Sequence, residues 1–202
     1  MKTIGICGSG IMGSGLAEVA AKAGYTVIVR SRSAATAQAM ITSIEKGLDK
    51  QLQREKITAD DKAAILGRLS ATDKISDLAD CDLVIESVVE DLDVKKALFA
   101  ELDKAVKPSA ILATNTSTLP VVEMAMATGR PDKVCGIHFF NPATAMPLVE
   151  VVRPITASDE TIDAANAFTA KCGKNGVQVK DRAGFIVNAL LFPYLNNAIR
   201  IW

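Results

Sequence analysis

The chain has 202 residues, with 23 Lys and Arg against 23 Asp and Glu, and 49% of its residues are apolar. No formal net charge and 4% aromatic content exclude both a polycation that wraps nucleic acid and a stacking platform for single strands, so no nucleic-acid partner is expected. A chain that is half apolar and 23% charged is not disordered and fits one globular domain, or one and a fraction.

The first predicted strand covers residues 3–7, and Gly8-Ser9-Gly10-Ile11-Met12-Gly13 follows it directly. In a strand–turn–helix context this spacing marks dinucleotide binding. Gly8 permits the tight turn, Gly10 lets the backbone approach a pyrophosphate, and Gly13 lets helix and strand pack closely. The pyrophosphate rests on the free N–H groups at the start of the helix, at Ile11 and Met12. A merely structural glycine turn is the plainer alternative.

That helix is predicted over 11–23 and the second strand over 26–29, which runs into Arg30-Ser31-Arg32. An NAD-binding domain usually carries an acid about here, to hold the ribose 2′-hydroxyl. A serine between two arginines suits a 2′-phosphate instead, so NADP is the expected cofactor and NAD the alternative. Two solvated surface arginines would be the plainer reading.

Residues 34–69 read as two helices that break near Thr58, where Thr58-Ala59-Asp60-Asp61 supplies a capping hydroxyl and first-turn acids. Strands at 83–85 and 111–113 flank a helix at 94–106. Asn115-Thr116-Ser117-Thr118 follows the second of these strands on the edge where ligands bind, with a cap or turn role as the alternative. A helix at 121–127 leads to a strand at 134–137.

His138, the only histidine, closes that strand. Glu150 interrupts the apolar run 148–152, where an unpaired carboxylate is costly to bury. The loop 139–147 contains Asn141, Pro142 and Pro147 and can return the second run beside the first. One histidine held by one carboxylate is an oriented general base. Ser158-Asp159-Glu160 opens another helix, and Asn188 opens the last one after Asp181-Arg182-Ala183-Gly184-Phe185. That final helix carries an apolar stripe through Leu191, Leu195 and Ile199 to Trp202 and has no capping residues, so we expect a chain cut within a longer protein.

Apolar strands alternating with helices specify an α/β fold with a doubly wound, mostly parallel sheet of the Rossmann type. The expected division is a dinucleotide-binding domain over 1–184 and, over 185–202, the start of a helix that leads into a further helical domain. Cys7, Cys81, Cys135 and Cys172 form no C-x-x-C pair, and one histidine cannot complete a zinc site, so we expect reduced, buried thiols and no metal. No run reaches about 18 apolar residues, and five glycines among the first fifteen residues break any signal-peptide helix. No membrane partner and a cytoplasmic location follow as expectations.

Gly136-Ile137-His138-Phe139-Phe140-Asn141-Pro142, Pro147-Leu148-Val149-Glu150-Val151-Val152, Asn115-Thr116-Ser117 and Gly184-Phe185-Ile186-Val187-Asn188 together resemble the N-terminal domain of the L-3-hydroxyacyl-CoA dehydrogenase family, across essentially the whole chain. The resemblance implies that His138 is the catalytic base and Glu150 its partner. Ser117 and Asn188 would bind the substrate's reacting oxygens, and Asn115 and Asn141 would lie toward the cofactor. Glu90 and Lys95 match positions that contact the cofactor in the family, although their spacing alone reads as helix-start and surface charge. The implied reaction is the reversible oxidation of a short-chain L-3-hydroxyacyl-CoA, such as 3-hydroxybutyryl-CoA, to the 3-ketoacyl-CoA. The family adds a helical domain that closes the acyl-CoA cleft and forms a homodimer, and it usually has an acid where Ser31 stands. A relative acting on a free hydroxy acid, or a dinucleotide-binding module without turnover, are the competing readings.

Overall fold

In the computed structural model, which describes residues 1–202, the chain runs β1 (Thr3–Cys7), α1 (Ile11–Lys22), β2 (Thr26–Arg30), α2 (Ala34–Gln53), α3 (Ala59–Leu66), β3 (Leu69–Thr72), β4 (Leu83–Glu86), α4 (Leu92–Ala105), β5 (Ile111–Thr114), α5 (Val121–Ala125), β6 (Val134–Phe139), β7 (Leu148–Arg153), α6 (Asp159–Lys171), β8 (Asn175–Lys180) and α7 (Val187–Ile201). The strands form one sheet in the order β3-β2-β1-β4-β5-β6-β7-β8. The first six are parallel. β7 runs antiparallel to β6, and β8 is parallel to β7 through the α6 crossover. This is the doubly wound α/β fold expected from the alternation of apolar runs and helices.

Both faces of the sheet are covered, which is why the central strands are apolar without interruption. On one face Ile4, Ile6, Val27, Leu83 and Ile85 pack with Leu16, Met40, Ile44, Leu48 and Phe168 of α1, α2 and α6. On the other, Val84, Leu112 and Val134 pack with Leu98, Phe99 and Leu102 of α4 and Val121 and Met124 of α5. Leu83 and Ile85 point one way and Val84 the other, as the period-two pleat requires.

The predicted caps are in place. Thr58 accepts from Asp61 N–H at 3.1 Å while Asp61 accepts from Thr58 N–H at 2.9 Å, and Ser158 caps α6 through Thr161 N–H at 3.2 Å.

Two differences from the sequence reading concern edge strands. The helical stretch does not continue to residue 69: α3 ends at Leu66, and Leu69–Thr72 is β3, an outer strand. β8 was not foreseen, because Asn175–Lys180 is polar, buries only Val179 and becomes a strand by pairing with β7. A half-exposed edge strand carries too little apolar pattern to declare itself.

The four cysteines are unpaired, and burial pushes the thiols of Cys7 and Cys135 up to about 12. No helix is long and apolar enough to cross a membrane. α7 buries no side chain, and Leu190, Tyr194, Ile199 and Trp202 stand exposed along it.

Candidate active site

The C-terminal ends of β1, β2, β4, β5 and β6 lie along one edge, and every predicted site residue before β7 lies at or just after one of these ends or in the first turn of the next helix. After β1, Gly8 adopts φ +123°, and a Cβ there would fall 2.2 Å from the Ser87 carbonyl oxygen. A Cβ on Gly13 would fall 2.1 Å from the Gly8 carbonyl oxygen. Gly10 differs, because a Cβ there would meet nothing within 4 Å. Gly10 is also the N-cap of α1 and brings no side chain to its first turn, so the N–H groups and positive end of the helix open into that space. The donors and the space fit a pyrophosphate.

Two hollows meet at this turn. The larger, about 680 Å³, extends from Gly8 and Gly10 over Arg30, Ser31 and Arg32 and along Val89, Val94 and Leu98. The smaller, about 400 Å³, extends from Gly10, Ile11 and Met12 to Glu90, Lys95, Asn115, Ser117 and Asn188. A ligand bent over the glycine turn would reach both.

In the larger hollow, Ser31 is buried, with its Oγ 2.9 Å from Ser9 Oγ and 2.7 Å from Thr36 Oγ1. Arg32 is exposed, and Arg30 is half-buried with its Nε donating to the Asp73 carbonyl at 3.4 Å. Ser9 and Thr36 were not foreseen. Ser9 sits inside the glycine motif as an unspecified position, and Thr36 reaches Ser31 only because α2 turns back over the end of β2.

His138 and Glu150 sit directly opposite each other in the β6–β7 ladder. Residues opposed in an antiparallel pair point to the same face, so register alone brings their side chains together. His138 Nδ1 lies 2.8 Å from Glu150 Oε2, and the two residues are 4% and 1% exposed. The ring packs between Phe140 and Phe185, at centroid distances of 4.5 and 5.6 Å. Glu150 Oε1 accepts from the N–H groups of Ile186 and Val187, both at 3.0 Å, at the start of α7. Asn188 therefore begins the helix beside the pair, and its Nδ2 donates to the Ser117 carbonyl at 3.3 Å.

Asn115 is buried and its Oδ1 accepts from Phe139 N–H at 2.9 Å, which ties the end of β5 to the end of β6. Asn141 is exposed in the β6–β7 loop and borders neither hollow.

The surface reading of Lys95 is overturned. Its side chain is 1% exposed, 2.6 Å from Glu86 Oε1 and 3.2 Å from Glu90 Oε2. The helix that carries it lies against the sheet, and the face spacing of Lys95 points inward. Glu86, fully buried at the end of β4, was missed, although it closes an apolar run just as His138 does and the same signal would have found it. Burial acts to raise the Glu90 carboxyl, but hydrogen bonds from Thr116 and Ser117 N–H and the charge of Lys95 outweigh it and hold the group below the ordinary glutamate range.

A family model described as the NAD binding domain of 3-hydroxyacyl-CoA dehydrogenase matches residues 3–182. A 3-hydroxybutyryl-CoA dehydrogenase of Bradyrhizobium diazoefficiens is 42% identical over 199 residues, which is 98% of this chain and 68% of the relative. The relative of the same name in Mycobacterium tuberculosis is 44% identical over 203 residues, 100% of this chain and 71% of its own length. The crystal structure of 3-hydroxybutyryl-CoA dehydrogenase from Escherichia coli superposes with a TM-score of 0.96 at 40% identity, covering 98% of this chain and 42% of that one.

Proposed function

The chain belongs to the 3-hydroxyacyl-CoA dehydrogenase family and carries its nicotinamide-dinucleotide domain; from that premise we propose that it interconverts a short-chain L-3-hydroxyacyl-CoA and the 3-ketoacyl-CoA with NADP(H), using His138 and Glu150 as the acid–base pair. The single observation that carries the reading is the 2.8 Å contact between His138 Nδ1 and Glu150 Oε2, beside the start of the helix that bears Asn188. The names of the 42% and 44% identical relatives support a four-carbon thioester.

With Glu150 as acceptor, the imidazole proton sits on Nδ1, and Nε2 is left basic toward the substrate. His138 takes the C3 hydroxyl proton through Nε2, and Glu150 stabilises the imidazolium that forms. In the reducing direction the same nitrogen returns the proton to the carbonyl oxygen. Ser117 and Asn188 bind the reacting oxygens, and Phe140 and Phe185 keep water from the ring. Gly8, Gly10, Ile11, Met12 and Gly13 hold the pyrophosphate. Glu90 and Asn115, which border the smaller hollow, face the nicotinamide end, with Lys95 behind Glu90, whereas Asn141 lies outside both hollows and is not assigned to the cofactor. When bound, the nicotinamide supplies the hydride acceptor or donor.

The preference for NADP(H) rests on Ser31, Arg32 and Arg30. An acid after β2 would repel a 2′-phosphate, and Ser31 removes that repulsion. Arg32, exposed at the rim, offers a planar charged contact, with Arg30 beside it. Fluorescence titration with NADPH and NADH, together with an acetoacetyl-CoA reduction assay, tests the reading. Tighter NADPH binding with turnover supports it. Equal or tighter NADH binding overturns the cofactor preference, and turnover of free acetoacetate but not the thioester overturns the substrate.

A further inference from the structure

Residues 115–120 join β5 to α5 and carry Ser117, and two carboxylates from outside the loop hold its ends. Asp181, just past β8, accepts from the N–H groups of Val121 and Val122 at 3.0 and 2.8 Å. Glu90 accepts from Ser117 N–H at 2.9 Å and from the Thr116 hydroxyl. The Thr116 oxygen then accepts from the N–H groups of Thr118 and Leu119 at 3.3 and 3.0 Å. Three successive backbone donors, at 117, 118 and 119, are thus satisfied by one carboxylate and one hydroxyl. Thr116 is 1% exposed, and the Ser117 hydroxyl makes no hydrogen bond within the protein.

The contacts behind Thr116 close into a ring. Glu90 is held by Lys95 and Lys95 by Glu86. Glu86 Oε2 accepts from the Thr114 hydroxyl at 2.8 Å, and the Thr114 oxygen accepts from Thr116 N–H at 3.1 Å. In such a ring each hydrogen bond polarises the next, and the Thr116 hydroxyl, by donating to a carboxylate, becomes a better acceptor for the two amides it holds. Lys95 supplies the one positive charge, between two carboxylates.

We propose that Thr116, backed by the ring of Glu86, Lys95, Glu90 and Thr114, is the positioning residue for Ser117: it sets the loop backbone so that the Ser117 hydroxyl is already placed for the substrate's reacting oxygen. The inference rests on the assignment of Ser117 to that oxygen. Its physical basis is preorganisation, because a donor that must be ordered anew at each turnover loses most of its rate advantage, and a misplacement of about 1 Å costs on the order of 100-fold.

Thr116→Val keeps the shape and removes the hydroxyl, and Thr116→Ser keeps the hydroxyl. In the active enzyme, Thr116→Val is expected to lower kcat/KM for acetoacetyl-CoA by about 10- to 100-fold, mainly in kcat. The NADPH dissociation constant should stay within about twofold, and amide exchange at 117–119 should quicken. Thr116→Ser should restore both rate and protection. Thr116→Ala repeats the test with a smaller side chain should the valine variant fold poorly. Equal losses in the valine and serine variants, or faster exchange at 117–119 with an unchanged rate, overturn the proposal. Ser117→Ala separates the two layers: if it leaves the rate intact, the Ser117 assignment falls and the proposal with it. If it lowers the rate while Thr116→Val does not, the positioning role alone falls.

Discussion

Glu150 divides its two carboxylate oxygens between His138 and the first turn of α7: Oε2 meets the imidazole at 2.8 Å, and Oε1 accepts from the N–H groups of Ile186 and Val187. One buried carboxylate therefore orients the ring and fixes the origin of the helix that bears Asn188. A change at Glu150 is expected to move both at once.

His138→Ala should reduce turnover of acetoacetyl-CoA by about 10²–10⁴-fold, the scale of a general acid–base residue. Dinucleotide affinity should hardly change, because His138 borders neither hollow. Glu150→Gln should also lower turnover and distort the pH–rate profile, since the imidazolium loses its counter-charge. Steady-state kinetics and dinucleotide titration on the same preparations check this, and a near-normal rate in His138→Ala would refute the assignment.

Ser31→Asp combined with Arg32→Ala should reverse the preference from NADPH to NADH. One charge-assisted hydrogen bond contributes roughly 1.5–3 kcal/mol, or about 10- to 150-fold in affinity. The preference in the parent should also weaken as salt rises, because Arg32 is exposed to screening. Dissociation constants at two ionic strengths measure both effects.

The glycines of the turn should separate by function. Gly13→Ala places a Cβ 2.1 Å from a backbone oxygen and should lower the melting temperature. Gly10→Ala meets nothing within the protein, so the fold should hold while dinucleotide binding falls at least about 10-fold, because the methyl group occupies the approach to the helix N-terminus. Thermal unfolding alongside titration tells the two apart. Unchanged binding in Gly10→Ala would remove the pyrophosphate from this turn.

Lys95→Met should be among the most destabilising single changes in the chain. It leaves Glu86 fully buried with a charge and no counter-ion, a loss of about 3–5 kcal/mol. For a domain of this size that corresponds to roughly 6–20 °C in melting temperature. Glu86→Gln combined with Lys95→Met removes both charges and should recover most of the loss.

The loop around Ser117 should loosen only in acid. The Glu90 carboxyl is held below its ordinary value, so its ionised form is the one that folding favours. The associated stability is complete above the unfolded glutamate pKa and is lost as pH falls through the lower, folded one. Amide protection at 117–119 should therefore persist at pH 5 and decline only below the ordinary glutamate range, near 4.3. Loss of protection already at pH 5 would contradict the assignment.

The sequence by itself determined the sheet and its binding edge. Short apolar runs such as Leu83-Val84-Ile85, alternating with segments of helical period, read as strands covered on both faces. The spacing of Gly8, Gly10 and Gly13 declares a turn in which Gly8 and Gly13 leave no room for a Cβ and Gly10 leaves room for a ligand. It also marked His138 and Glu150, because a polar residue at the end of an apolar run, or within one, is costly without a purpose. The sequence also suggested that the 139–147 loop brings Glu150 to His138. Tertiary structure alone decided the antiparallel register that sets them opposite each other and the second contact of Glu150, which caps α7 from 36 residues away. Lys95 reads locally as a surface charge of a helix start, and becomes buried between Glu86 and Glu90 only when α4 is laid against the sheet and brings it to the end of β4. The edge strands β3 and β8 escaped notice for the same reason. Their backbone partners, supplied by β2 and β7, make them strands, and pairing across a sheet leaves little trace in the order of residues along the chain.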